Sequence, residues 1–246
     1  MISLNKFSLK LIILTIGFSA SLSLQAFEIN SNGSSWNDAQ AIFHTMPVST
    51  TGSDGLTALQ LQDAFGEAMD AWSDVSAFNL IKDDSPSNSL VVCPSFDDGE
   101  VDLANPDNND NVFTFGNISC FGAFGANTLG FTRFVRNINT NFIVQSSITF
   151  NSAVNWDIYN GPQLPSGFDF RRTAVHELGH SLGLEHTDVP FSIMEELIGI
   201  TEVPQTDDLA GIEFLYGPFV PPIIPPIIPT NPIVNISPIL FLLLSD

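Results

Sequence analysis

Positive charge is what this 246-residue chain has least of: 7 Lys and Arg stand against 27 Asp and Glu, for a formal net charge of −20. Nucleic acid and anionic membrane surfaces are poor partners for such a chain, because phosphate binding needs clustered Lys and Arg. Cysteine is nearly absent as well, with only Cys93 and Cys120 present. In an exported chain an even pair reads as one disulfide, and neither thiol has a second Cys or a His at ligand spacing. A free cysteine that confers latency is the alternative. Long apolar runs are also missing: Leu11–Ala20 and Ile239–Leu244 are both too short for an ordinary membrane span.

What is present is enough apolar material for a core. Hydrophobic residues are 44% of the chain and charged ones 14%, which argues against global disorder. The length fits one medium domain with appendages. Lys6 and Lys10 precede the Leu11–Ala20 run, and small or polar residues lead to Ala26. That is the layout of a secretory signal peptide over residues 1–26, so a secreted, extracellular protein is expected. A short segment, 27–35, then leads to a domain over 36–217. From Pro218 the composition changes to Pro-Pro-Ile-Ile repeats, an extended semi-rigid rod followed by the apolar end at 239–244. The tail over 218–246 could tether the protein to a surface or cover a hydrophobic patch.

Within the domain, Thr57 and Gln60 have capping-box spacing, and Leu61, Phe65, Ala68 and Trp72 recur at helical intervals. They predict a helix over Thr57–Ser73. Strands are predicted at Phe78–Lys82, Ser89–Cys93, Phe131–Arg136 and Phe142–Phe150, the last with alternating apolar residues. Residues 95–111 form a turn-rich acidic loop that offers hard oxygen donors for Ca2+ without EF-hand spacing; a plain solvated loop is the alternative. A helix is expected from about Phe168 to a stop at Gly183, and a last one from Thr206 to Tyr216, closed by Gly217.

Three of the four histidines fall between positions 176 and 186. On a helix, His176 and His180 lie one turn apart on the same face and can present two imidazoles to one ion. Gly183 ends that helix, in a left-handed conformation that a Cβ would resist, and the returning chain delivers His186. Three neutral imidazoles with an open fourth position are the donor set of a catalytic-type Zn2+ site. Glu177, beside the first ligand, points near the same place without ligating, as a general base should. The fourth histidine, His44, stands alone and is read as structural.

The segment His176–His186 resembles the extended zinc signature of the metzincin metallopeptidases, and Ser192-Ile193-Met194 resembles their Met-turn, with Met194 as an apolar floor under the metal. The matrixin-like branch fits best. Thr187 follows the third histidine, Ala71–Val75 is similar to the end of the first matrixin helix, and Ile148–Asn151 is similar to the strand bordering the cleft. Thr206–Ile212 with Leu215–Gly217 is similar to the closing helix. The resemblance runs from about Trp36 to Gly217. It implies an α+β fold: a twisted, mixed, mostly parallel five-stranded sheet with long helices and a small subdomain after Gly183. It also implies hydrolysis of internal peptide bonds in protein or peptide substrates by a monomer. The substrate would lie extended beside the Phe142–Phe150 strand, and residues 195–205 would form the pocket wall.

Several family features are missing. Glu195-Glu196 stands where other metzincins carry the tyrosine ligand, and the residues for a second, structural zinc site are lacking. Neither a cysteine-switch motif nor a prodomain of normal size is visible. Two alternatives share parts of the pattern: a zinc hydrolase of non-peptide amides, which differs only in the cleft, and an inert surface-binding module. The second predicts loss of the base or a ligand, whereas Glu177 and all three histidines are intact.

Overall fold

The computed structural model describes residues 27–87, 110–119 and 122–221. The elements in chain order are β1 (Ser35–Trp36), β2 (Gln40–His44), α1 (Ala58–Ser73), β3 (Asn79–Asp83), β4 (Val112–Gly116), β5 (Ile118–Ser119), β6 (Gly122–Ala123), β7 (Gly130–Arg136), β8 (Phe142–Asn151), β9 (Trp156–Asp157), β10 (Phe168–Asp169), α2 (Phe170–Ser181) and α3 (Thr206–Tyr216). Residues 1–26, the predicted Ser89–Cys93 strand, most of the acidic loop and the tail beyond 221 lie outside the described residues. No helix among the described residues is long and apolar enough to cross a membrane.

Strand β8 organises the sheet. It pairs with β7 antiparallel from Gly130↔Phe150 to Arg136↔Ile143. It also pairs parallel with β1 at Ser35↔Phe142 and with β4 from Val112↔Ser147 to Gly116↔Asn151. Because β7 runs along nearly the whole of β8, β1 and β4 must share its opposite edge. The parallel pair β2–β3 joins β4 through one bridge, Phe43↔Asn111. The result is a mixed, mostly parallel α+β arrangement of the expected kind.

One expectation changes. Both edges of β8 are used, so a peptide cannot add to Phe142–Phe150. The outer strand beside α2 is β7, which has no second strand partner among the described residues.

The helices form as their caps dictate. In α1 the Thr57 hydroxyl accepts the Gln60 amide at 3.3 Å, and Gln60 Oε1 accepts the Thr57 amide at 3.0 Å. This helix buries Leu61, Phe65, Met69 and Trp72. Trp72 Nε1 donates to the Val175 carbonyl at 2.8 Å, which locks α1 onto α2. Between sheet and helices lies an aromatic core: Phe65 stacks on Phe113 with ring centres 4.2 Å apart, and Phe150 meets Phe170 at 4.8 Å. At the other end of α2, Gly183 has φ of +103°, and a Cβ there would lie 2.8 Å from the Ser34 carbonyl oxygen. Asn30 holds the turn, its amide donating to the Gly183 carbonyl at 2.9 Å.

Strands β2 and β4 were not predicted from the sequence. Four of the five residues of β4 are buried, so its apolar and polar positions do not alternate and carry no two-residue period. β2 is a short apolar piece in a Ser- and Asn-rich stretch, and only its parallel partner β3 makes it a strand.

Candidate metal centre

Helix α2 presents His176 and His180 on one face, and the turn at Gly183 returns the chain so that His186 meets them. His176 Nε2 lies 3.1 Å from His180 Nε2 and 3.2 Å from His186 Nε2. Three ring nitrogens this close repel if each carries a proton or a bare lone pair. One atom at their centre removes that conflict. Zn–N bonds of about 2.0–2.1 Å in a tetrahedron put ligand nitrogens about 3.3 Å apart, close to the spacing found.

The rings are set for that role from behind. His176 Nδ1 is 2.7 Å from the Ile193 carbonyl oxygen, and His180 Nδ1 is 2.8 Å from that of Leu184. A carbonyl only accepts, so Nδ1 carries the proton in both rings and Nε2 is left as the ligand atom. Burial pushes the pKa of His176 down to about 4 and that of His180 well below its ordinary value, so both rings are neutral at pH 7. The donor set therefore fits a divalent zinc ion. The three histidines are the group of potential metal ligands found among the described residues. His44 is not part of it: its Nδ1 is 2.9 Å from the Ser85 carbonyl oxygen and its Nε2 3.2 Å from Asp110 Oδ2.

Glu177 is buried next to His176, with a relative exposure of 4%. Its Oε2 accepts a hydrogen bond from the Thr132 hydroxyl at 2.5 Å. Burial pushes its pKa up to about 7, against the downward pull of that bond. A carboxyl held near neutrality can both take and give a proton.

Met194 is buried and packs under α2 at Gly179, where any Cβ would collide with its Sδ and lie 2.9 Å from Trp72 Cζ2. Gly179 stands between the two helical histidines, so Met194 lies against the stretch of α2 that carries them.

The turn itself is held by Asp208, in the first turn of α3. It is 1% exposed and accepts from the amides of Ile193 (3.0 Å), Met194 (3.3 Å) and Gln205 (2.7 Å), and from the Ser192 hydroxyl. The spacing of Asp208 in the sequence gives no hint of this, because the turn it grips lies on a separate segment. Thr132 was likewise missed.

The segment 195–205, expected to wall the pocket, is tied to α2 by Arg172. This guanidinium is 1% exposed and donates to the Gly199 carbonyl at 2.7 Å and the Gly161 carbonyl at 2.5 Å, with Glu202 Oε1 at 3.2 Å. Cys93 and Cys120, and with them the expected disulfide, lie outside the described residues, as does most of the loop considered for calcium.

Residues 127–217 match the model of the matrixin peptidase family. The chain is similar to metalloendoproteinase 2-MMP of Arabidopsis thaliana, 29% identical over 161 residues that cover 64% of the chain and 37% of that protein. It is 41% identical over 73 residues to human matrix metalloproteinase-16, covering 28% of the chain and 12% of the relative. To matrilysin of Rattus norvegicus it is 47% identical over 60 residues, 21% of each chain. The chain thus spans well under two thirds of the length of the curated relatives it matches.

Proposed function

From the match of residues 127–217 to the matrixin family we propose that the chain is a zinc-dependent endopeptidase of metzincin type. The observation that carries this reading is the convergence of three Nε2 atoms beside a buried carboxylate. His176, His180 and His186 would hold the ion, with Met194 beneath them. When bound, zinc supplies Lewis acidity and lowers the pKa of a water toward about 7.

The protein's own groups do the rest. Glu177 accepts the proton of the attacking water and delivers it to the leaving amine nitrogen, a transfer for which its place beside the three imidazoles suits it. His176 and His180, oriented by the Ile193 and Leu184 carbonyls, keep the ligand nitrogens aimed at one point. The substrate peptide extends along the outer edge of β7, where main-chain hydrogen bonds would add it as a further strand. Arg172 and Glu202 shape the wall built by 195–205.

Export through the leader 1–26 and a Cys93–Cys120 disulfide complete the proposal. Both rest on the sequence pattern. Mass spectrometry of the mature N-terminus, and thiol labelling that requires prior reduction, check them.

Glu177→Gln tests the central claim. The variant should keep its zinc and lose about 10²-fold or more in kcat on an internally quenched peptide. Undiminished cleavage removes Glu177 from the mechanism. A wild-type protein that hydrolyses small amides and no peptides would favour the non-peptide hydrolase.

A further inference from the structure

We infer that Thr132 is a positioning residue for Glu177: strand β7 grips the general base and fixes the orientation in which its carboxylate takes up the proton. The inference rests on the endopeptidase reading above.

Successive side chains of a strand point to opposite faces, so Gly130 and Thr132 share one face of β7. That face meets α2 at Glu177. The Thr132 hydroxyl is 2.5 Å from Glu177 Oε2 and 3.0 Å from the Glu177 backbone carbonyl oxygen. A hydroxyl has one proton, and the shorter, charge-assisted partner takes it. Two positions earlier, a methyl group on Gly130 would sit 2.5 Å from Glu177 Oε1, 2.9 Å from Cδ and 3.1 Å from Cγ. Only a glycine leaves room for the carboxylate to lie against the strand.

Glu177 therefore has a donor on one oxygen and bare backbone beside the other. Its burial removes the water that would otherwise let it reorient. Thr132 binds one lone pair of Oε2 and fixes the plane of the carboxylate, so the remaining lone pairs keep one orientation for accepting the proton of the attacking water. The strand proposed to carry the substrate thus also holds the base, so seating a peptide on β7 and aligning Glu177 become one geometric event.

The test compares Thr132→Val, Thr132→Ser and Glu177→Gln in the full chain. Valine keeps the shape of threonine and removes only the hydroxyl. Zinc content, thermal midpoint, kcat and KM are measured for each, together with the Glu177 side-chain conformation in crystals of Thr132→Val. The expected result is a kcat reduced about 10- to 100-fold in Thr132→Val, with zinc content and KM little changed. Thr132→Ser should recover most of the rate, and Glu177 should adopt a different rotamer in the valine variant.

A Thr132→Val enzyme within about twofold of wild type, beside an inactive Glu177→Gln, overturns the positioning role and leaves the endopeptidase reading standing. So does an equal loss in the valine and serine variants that follows their thermal midpoints. A fully active Glu177→Gln overturns the parent reading and this inference together.

Discussion

Asp208 on α3 accepts the backbone amide of Ile193, and the carbonyl of the same Ile193 accepts from His176 Nδ1. The last helix thereby reaches a candidate metal ligand through a single intervening residue. The turn at 192–194 is the hinge of this relay, since the amide of Met194 also approaches Asp208, at 3.3 Å.

Replacing Asp208 by Asn should loosen the relay. The side chain keeps its size, but an NH2 group replaces an acceptor in a site that receives three backbone amides. Leaving buried donors unpaired costs about 1–3 kcal/mol, and a fault behind a metal ligand weakens the metal by about 10- to 100-fold. Zinc titration against a competing chelator reads the second effect directly. Wild-type zinc affinity in Asp208→Asn would break the link between α3 and His176.

Arg172 has a different role to test. Arg172→Met leaves the Gly161 and Gly199 carbonyls without this donor and removes the positive charge facing Asp169 and Glu202 in a nearly dry site. The expected loss is about 3 kcal/mol, the lower end for removing one partner of a buried ion pair, because Glu202 keeps Arg171 and the Gly161 amide, and Asp169 keeps the amides of Arg171 and Arg172. Denaturant unfolding gives the stability. The cleavage-site preference should broaden as 195–205 gains freedom, which profiling on a peptide library reads.

Removing zinc should lower the thermal midpoint, because the metal binds the folded chain. The pH dependence of the stripped protein follows from its buried groups. His176, held at about 4 when folded, has an ordinary value of about 6.5, and His180 is shifted the same way. Between those values the unfolded chain binds protons that the folded chain refuses, so stability falls as the pH falls from about 6.5. Glu177 acts in the opposite direction. Its folded pKa is raised to about 7, so its contribution is present at low pH and lost as the pH rises from about 4.5 to about 7. Burial raises Asp169, Glu185 and Asp207 as well, and they act with Glu177 as the pH approaches the carboxylate range, so the midpoint of the chelated protein should drop just below about pH 6.5, where the two rings begin to titrate in the unfolded chain. Scanning fluorimetry in matched buffers measures it; a midpoint that rises on acidification would contradict the burial of the two rings.

The sequence by itself determined the local terms. Positions 176 and 180 lie four apart on a helix, Gly183 supplies the left-handed turn and His186 follows it, so the donor set could be written down residue by residue. The α1 cap at Thr57 and Gln60 and the span of α3 were legible for the same reason, because each depends on neighbours within one or two turns. Only the tertiary structure decided what comes from afar. β4 became a strand through pairing with β8 and its aromatic burial, without any alternation to announce it. Among the described residues β7, and not β8, proved to be the outer strand, since pairing partners are not written in a strand's own period. Thr132 and Asp208 look like an ordinary strand residue and an ordinary first-turn acid. Their hydrogen bonds run to Glu177 and to the Met-turn across long sequence separations, and chain folding alone brings those segments together.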